Sequence, residues 1–598
     1  MLFGKYVNKY YFRYAHFFIL GVFALLFVNY FQLEIPKIIG GIINGLENKN
    51  LDQPMLKEFI SQFFLIAVVM FVGRFLWRIC ILGNGVRIEC DLRNEMFYSM
   101  QKLSQRYFQE NKTGALMAYY TNDLTVVRRT FGMGTIMLVD AISLGALALY
   151  YMFKINVILS IISLSSLIAV MLVGGIIGKK ITKATDANFK AYGRMSDYVQ
   201  EDFSGISVIK AFVKEKLQMK RFQKYNEENR DTTLEITKNA LKMEIFISIV
   251  LTLINLVIIA YGAYLIWQKK LGNIETNMDI GTLTEFLSYF GSLVWPIMAI
   301  GRLIDLRSQG QASLNRISSV MDEEVEINDL LVDHNISIEE PIKGNIEYKN
   351  LEFSYPNSEV KVLTNVNFKI DAGEFVGVMG GTGVGKTTIV DLLLRIYNID
   401  EGMLYIDGHD IMHLPIKYVR DNISYVPQDN FLFSQSIEDN IAFSSDLTEE
   451  KKNVVDYATL SDVNKDIVDF KEGYQTILGE RGVTVSGGQK QRISMARALY
   501  KDSSILVLDD SLSAVDTETE KKIINNLRAL RKGKTTIIIA HRISTLQYLD
   551  KIVVVEDGKV TGVGTHDELV LNNEHYANEV RLQELEKEVN AEEGGRDE

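Results

Sequence analysis

The chain has 598 residues, 47% hydrophobic and 23% charged, with a formal net charge of −11. That length allows several domains, and the acidic balance argues against nucleic acid as a partner. Two cysteines, Cys80 and Cys90, lie in one helical stretch; they give neither a disulfide framework nor a metal-ligand spacing and read as packing residues.

The first eighteen residues, MLFGKYVNKYYFRYAHFF, mix Lys5, Lys9 and Arg13 with aromatics. This suits a helix lying on the inner membrane surface. A signal peptide is the competing reading, but no small-residue cleavage site follows the apolar run. Six apolar segments come next, near 15–36, 59–77, 132–153, 155–178, 245–268 and 284–301. About 20 apolar residues in helical form cross a bilayer core, and helix is expected because unpaired backbone groups are costly in lipid. Arg74, Asp140 and Arg302 interrupt or bound three of the segments, so their ends are the least defined.

Lys and Arg crowd the connections 78–129 and 179–243 and are sparse near 46–56, 154 and 269–280. Basic connections belong in the cytoplasm, which puts both chain ends inside. Asp140 lies within a span; an acid at that depth is either a contact for a cationic substrate or a partner in an interhelical hydrogen bond or ion pair. Tyr261, Tyr264, Phe286, Tyr289, Phe290 and Trp295 either line an apolar cavity or face lipid and neighbouring helices. The acidic stretch 321–345 reads as a linker, and no internal repeat or low-complexity segment is present.

The second half changes character. FVGVMGGTGVGKTT, residues 375–388, matches G-x-x-x-x-G-K-[ST] between an apparent strand and an apparent helix. Its loop, Gly380, Gly381, Thr382, Gly383, Val384, Gly385, Lys386, Thr387 and Thr388, is the expected cradle for the phosphates of a nucleotide. Lys386 is placed to reach the β- and γ-phosphates and Thr387 to put its hydroxyl on Mg²⁺. ILVLD, 505–509, is an apolar run ending in an acid, and Asp509 supplies the strand-end carboxylate that supports the same ion. VTVSGGQKQR, 483–492, precedes a helix; Ser486, Gly487 and Gly488 at a helix start again favour an anion.

The order of these motifs, with VSGGQ, LVLDD and IIIAHR following Lys386, resembles the nucleotide-binding domain of ABC transporters, and the six spans resemble the membrane half of type IV exporters. The implied fold is an α-helical six-span transmembrane domain followed by an α/β P-loop ABC ATPase domain. The expected division is 1–320 transmembrane, 321–345 linker, 346–580 nucleotide-binding and 581–598 charged tail. The resemblance implies ATP and Mg²⁺ as cofactors. It assigns adenine stacking to Tyr355, a magnesium and inter-domain role to Gln428, a γ-phosphate switch to His541, and a signature loop to Ser486, Gly487, Gly488 and Gln489. It makes SAVD, 513–516, a D-loop, LGERG, 478–482, a segment that meets the coupling helices, and 111–123 the first coupling helix. In this family two nucleotide domains face each other, each phosphate loop closing on the other's signature, so a chain with one such domain is half a transporter.

One residue departs from the family pattern. After the magnesium aspartate the family usually has glutamate, which polarises the attacking water; here it is Asp510. Its carboxylate sits roughly 1 Å short, and a misplacement of that size costs on the order of 10²-fold in rate. An intact binding set with an impaired base resembles the degenerate-site subunits, of the BmrC or LmrC type, in bacterial heterodimeric multidrug exporters. The expectation is ATP-driven export of amphipathic small molecules across the cytoplasmic membrane, with a second half-transporter carrying the competent glutamate. The alternatives are a slow homodimer and a lipid or peptide exporter on the same scaffold.

Overall fold

The computed structural model describes residues 4–336, 340–445, 453–479, 482, 485–513 and 515–594. It divides into two compact units, one of Met1–Gln101 and Thr113–Asp322, the other of Lys102–Lys112 and Glu323–Glu598.

The first unit is helical. Its six long helices are α1 (Ala15–Glu47), α2 (Gln53–Trp77), α3 (Leu124–Ile155), α4 (Val157–Ser204), α5 (Glu215–Lys270) and α6 (Ile280–Met321). All six are long and apolar enough to cross a membrane, and each carries one of the apolar segments read from the sequence. At about 1.5 Å per residue, the 48 residues of α4 and the 56 of α5 far exceed a hydrocarbon core of about 30 Å. Their polar parts, rich in Lys with Asp in α4 and with Glu in α5, are long enough to extend the helix beyond such a core. α2 runs on through a π-helical turn, Arg78–Leu82, into the helix Gly83–Met100.

Helix starts follow from capping chemistry. Asp52 accepts from the Met55 amide at 3.0 Å, and Asn156 from Leu159 at 3.0 Å. Asp279 and Thr282 form a reciprocal box at the start of α6. Beside that start, α1 and α6 meet almost backbone to backbone. A Cβ on Gly281 would stand 2.1 Å from the Gly40 carbonyl oxygen. The Gly281 amide donates to Asn44 Oδ1 at 2.7 Å. Small residues permit this approach, and lipid offers no competing partner for the polar groups it joins.

Asp140, on α3, is buried and held by two neutral donors. Asn29 Nδ2 donates to its Oδ1 at 3.0 Å, and Trp295 Nε1 to its Oδ2 at 3.0 Å. The hydrogen-bonding alternative for this acid therefore holds within the chain, and Trp295 takes a polar role as well as an apolar one. Before α1, Lys5 pairs with Asp322 at 2.6 Å, Arg13 with Asp91 at 3.0 Å, and Lys9 with Glu95. These cations are engaged by carboxylates of the same unit, which a surface-helix reading did not anticipate. Cys80 is buried as expected, but Cys90 is exposed, because it lies on the outer face of the helix Gly83–Met100.

The second unit is α/β. A four-stranded antiparallel sheet has the order β2 (Lys361–Ile370), β1 (Ile346–Ser354), β4 (Leu404–Ile406), β5 (His409–Asp410). A six-stranded sheet has the order β10 (Lys559–Gly564), β9 (Lys551–Glu556), β3 (Phe375–Gly380), β8 (Thr535–Ile539), β7 (Ile505–Asp509), β6 (Ile423–Val426). In this sheet every pairing is parallel except that of the edge strand β10 with β9. β3, β7 and β8 are buried along their whole length, which explains why they read as uninterrupted apolar runs rather than alternating ones. Helices α7 (Lys386–Leu393), α8 (Gly487–Lys501), α9 (Thr517–Leu530) and α10 (Glu574–Gly594) accompany the sheets.

The stretch expected to be a linker is largely docked. The Asn328 carbonyl accepts from the Arg395 guanidinium at 3.1 Å, and the Ile416 amide donates to Asp329 at 2.9 Å. Glu326 receives Ser104 Oγ at 2.7 Å and pairs with Arg106. That pairing explains why Lys102–Lys112 belongs to this unit. The stretch 111–123 therefore straddles the two units rather than forming one element. At the other end α10 runs through the boundary expected at 580, because Tyr576 and Val580 on its inner face are buried in the core.

Candidate nucleotide site

Open parallel sheets bind ligands beyond the carboxyl ends of their strands. At that edge β3 ends at Gly380, β7 at Asp509, and β8 runs into Ala540 and His541. The phosphate loop follows β3 directly. Gly385, at φ +99°, turns the chain through a left-handed conformation into α7. The first turn of α7 leaves the amides of Lys386, Thr387 and Thr388 without intrahelical acceptors, and the helix dipole favours an anion there.

Lys386 is buried, and its ammonium donates to the carbonyls of Gly380 at 2.8 Å and Gly381 at 2.6 Å. Burial pushes its pKa down, with the nearby Asp509 and Asp510 acting the other way. Among the described residues it has no ion-pair partner, so a buried cation is bonded only to neutral oxygens. That is the environment a phosphate group fits. Asp509 is 1% exposed. Burial raises its pKa, while hydrogen bonds from Thr387 and Tyr425 pull it back, the Tyr425 hydroxyl lying 3.4 Å away. A threonine hydroxyl and a carboxylate side by side beneath a phosphate loop fit Mg²⁺, which takes few protein ligands and keeps phosphate oxygens. ATP and Mg²⁺ are thus compatible with the side chains present.

Tyr355, at the end of β1, is brought to this loop by a 2.8 Å hydrogen bond between its hydroxyl and Thr388 Oγ1. Its ring meets Phe353 and Tyr397 edge-on, with centroids at 5.2 and 5.3 Å. Tyr397 is also bonded to Gln109, at 3.3 Å, on the docked segment 102–112. Gln428, two residues beyond β6, is exposed and stands with Nε2 3.5 Å from Asp510 Oδ2. The loop, Thr387, Thr388, Lys386, Asp509, Asp510, Gln428 and Tyr355 therefore form one constellation.

Asp510 itself is in the left-handed region, at φ +45°. Hydrogen bonds to both its amide and its carbonyl hold its backbone there. Its amide donates to the Ile539 carbonyl at 3.0 Å, and its carbonyl accepts from Ser513 Oγ at 2.8 Å and Gln491 Nε2 at 3.5 Å. Aspartate tolerates this conformation better than most residues with a Cβ.

The signature residues stand apart from that constellation. Ser486 is the N-cap of α8, and its hydroxyl accepts from the Gln489 amide at 3.3 Å while Gln489 Oε1 accepts from the Ser486 amide at 3.0 Å. Asp466 steadies the turn by receiving Gln489 at 3.2 Å and Arg492 at 2.8 Å. Ser486 and Gly487 are exposed. No hydrogen bond among the described residues joins them to the phosphate loop. Val483 and Thr484 of this run, Glu480 and Arg481 of LGERG, and Ala514 of SAVD lie outside the described residues.

His541 is exposed on the loop after β8. What holds that loop was not foreseen. Arg542 donates to the Ser513 and Val515 carbonyls at 3.0 Å each and to Glu520 at 3.2 Å. Glu520, 1% exposed, also receives Thr545. Asp391, on α7, was likewise missed; burial and the neighbouring Asp509 push its pKa up to about 6. No spacing rule marks these residues, because their partners come from distant parts of the chain.

A membrane-spanning helical unit joined to a P-loop α/β unit defines a membrane ATPase. The comparisons make this specific. The family model for the ABC transporter transmembrane region matches residues 18–297, and the ABC transporter model matches 363–513. The chain is 35% identical to the probable multidrug resistance ABC transporter ATP-binding/permease protein YheI of Bacillus subtilis (strain 168), over 99% of this chain and 98% of that one. It is 34% identical to the ATP-dependent lipid A-core flippase of Syntrophus aciditrophicus (strain SB), over 86% and 83%. A solved bacterial Atm1-family ABC exporter with ATP bound shares the fold, with a TM-score of 0.77 and 24% identity over 96% of this chain and 99% of that one. The chain belongs to the ABC transporters, as an exporter whose ATP-hydrolysing domain is coupled to transport.

Proposed function

We propose that this chain exports amphipathic small molecules across the cytoplasmic membrane as one half of a heterodimer, and that its own ATP site hydrolyses poorly. The observation that carries the reading is the pairing at the end of β7. Asp509 has the buried position beside Thr387 and Lys386, whereas Asp510, with one methylene fewer than glutamate, reaches only to 3.5 Å from Gln428. Binding groups are all present while the group that would polarise a water is short, and phosphoryl transfer depends on such positioning. In this reading Lys386, Thr387, Thr388 and the loop glycines hold the phosphates, and Thr387, Gln428 and Asp509 hold Mg²⁺. Tyr355 stacks on adenine, and His541 meets the terminal phosphate. The Ser486–Gln489 loop, exposed at Ser486 and Gly487, completes the partner's site. The multidrug-resistance name of the Bacillus relative supports an amphipathic small-molecule cargo. The basic connections support cytoplasmic chain ends.

Purification of the native chain from its own membrane tests the pairing. A co-purifying half-transporter with glutamate at the position of Asp510, and an ATPase rate of the pair far above that of the chain alone, is the expected result. A chain that purifies alone and hydrolyses at the same rate as any complex overturns it. The likeness to a lipid A-core flippase favours a second reading, lipid export, which a lipid-translocation assay on reconstituted vesicles separates from export of soluble dyes.

A further inference from the structure

The loop that carries His541 is gripped from two sides. On one, Arg542 ties it to the carbonyls that follow β7. On the other, a single side chain from the far end of the chain brackets the histidine. Gln583 Oε1 accepts from the Ile543 amide at 2.8 Å, and Gln583 Nε2 donates to the His541 carbonyl at 2.7 Å. One primary amide thus satisfies a donor and an acceptor two residues apart, much as a neighbouring strand would, and so restricts the backbone on both sides of residue 542.

Gln583 is itself fixed. Tyr576, Val580 and Gln583 fall on one face of α10 at helical spacing. Tyr576 is fully buried and Val580 nearly so, and both pack in the cluster that contains Ile543 and Leu546. The Tyr576 hydroxyl is bonded to His566 Nδ1 at 2.8 Å. The inner face of α10 therefore presents the amide to the loop from a rigid base. The side chain of His541 is left exposed, on the loop that follows β8.

We propose that Gln583 is a positioning residue for His541, and that the C-terminal helix α10 thereby sets this site's preference for ATP over ADP. The proposal rests on the reading above in which His541 meets the terminal phosphate. Only ATP carries that γ-phosphate, so loosening the loop weakens ATP and leaves ADP unchanged. A residue that merely stabilised the fold would weaken both or neither.

The test uses the full chain in lipid nanodiscs with Mg²⁺ and labelled ATP or ADP. Gln583→Met keeps the volume and removes both hydrogen bonds. The ratio of ATP to ADP affinity is expected to fall about tenfold, the size of one lost hydrogen bond from the displaced His541 to a charged phosphate. His541→Ala is expected to lower the ratio by a similar factor. The double variant is expected to fall no further, since the two residues act as one unit. Should Gln583→Met express poorly, Gln583→Glu keeps the acceptor for Ile543 while turning a carboxylate on the His541 carbonyl, and the ratio is again expected to fall. An unchanged ratio in the Gln583 variants alongside a lowered ratio in His541→Ala overturns the positioning role alone. An unchanged ratio in His541→Ala overturns both that role and the assignment of His541.

Discussion

Replacing Asp510 with glutamate tests the proposed impairment directly. The side chain lengthens by one C–C bond, about 1.5 Å, and the carboxylate moves out past the Gln428 amide that now faces it at 3.5 Å. If distance alone limits the site, the repair is worth up to ~10²-fold in rate, or roughly 2.7 kcal/mol of barrier. A second term opposes it. Residue 510 is held at φ +45° by the Ile539, Ser513 and Gln491 bonds, and glutamate accepts the left-handed region less readily than aspartate, at about 1 kcal/mol. Because these bonds pin the backbone, that strain appears as lower folding stability and not as a displaced carboxylate. Single-turnover hydrolysis at saturating Mg·ATP, on the isolated chain and on the pair, reads out both terms. The isolated chain is expected to speed up by one to two orders of magnitude. The pair is expected to gain no more than about twofold, since the partner's glutamate already carries its turnover. An Asp510→Glu chain that binds ATP normally yet hydrolyses no faster would refute the geometric reasoning.

Lys386→Ala removes a buried cation that donates, among the described residues, to Gly380 and Gly381. Filter binding should show at least a tenfold loss of Mg·ATP affinity, with a comparable loss for Asp509→Asn. Ser486→Arg puts a bulky cation at the N-cap of α8; steady-state ATPase of the pair should fall to a small residue of wild type, while nucleotide binding at this chain's own loop is retained. Asp140→Asn keeps an acceptor for only one of Asn29 and Trp295 and turns an amide donor on the other, so assembly should weaken and vesicle transport of cationic and neutral compounds should fall together. The pKa of Asp391, pushed up to about 6 from 3.8, means that the folded chain holds this proton more tightly than the unfolded chain. The associated stabilisation is therefore full below about pH 4 and lost as pH rises through 6, by up to ~3 kcal/mol. Thermal melts between those values should flatten in Asp391→Asn.

Much of this architecture is legible in one dimension. Hydrocarbon thickness forces long apolar helices, so the six spans show as composition. A phosphate cradle needs glycine, lysine and a hydroxyl at fixed offsets, so 380–388 shows as spacing. A buried parallel strand ending in an acid shows as ILVLD, and the absent methylene at Asp510 is a difference between letters. The tertiary structure decided the rest, because the interactions involved have no period. Asp140 is settled by Asn29 and Trp295, donors from two other helices more than a hundred residues away in either direction. The expected linker is docked because Arg395 and Arg106 reach it. Residues 581–594, which by composition belong to a charged tail, continue a helix whose Gln583 takes hold of the loop at His541. Side-chain amides and guanidiniums bond to whatever backbone lies within reach, and only folding determines which backbone that is.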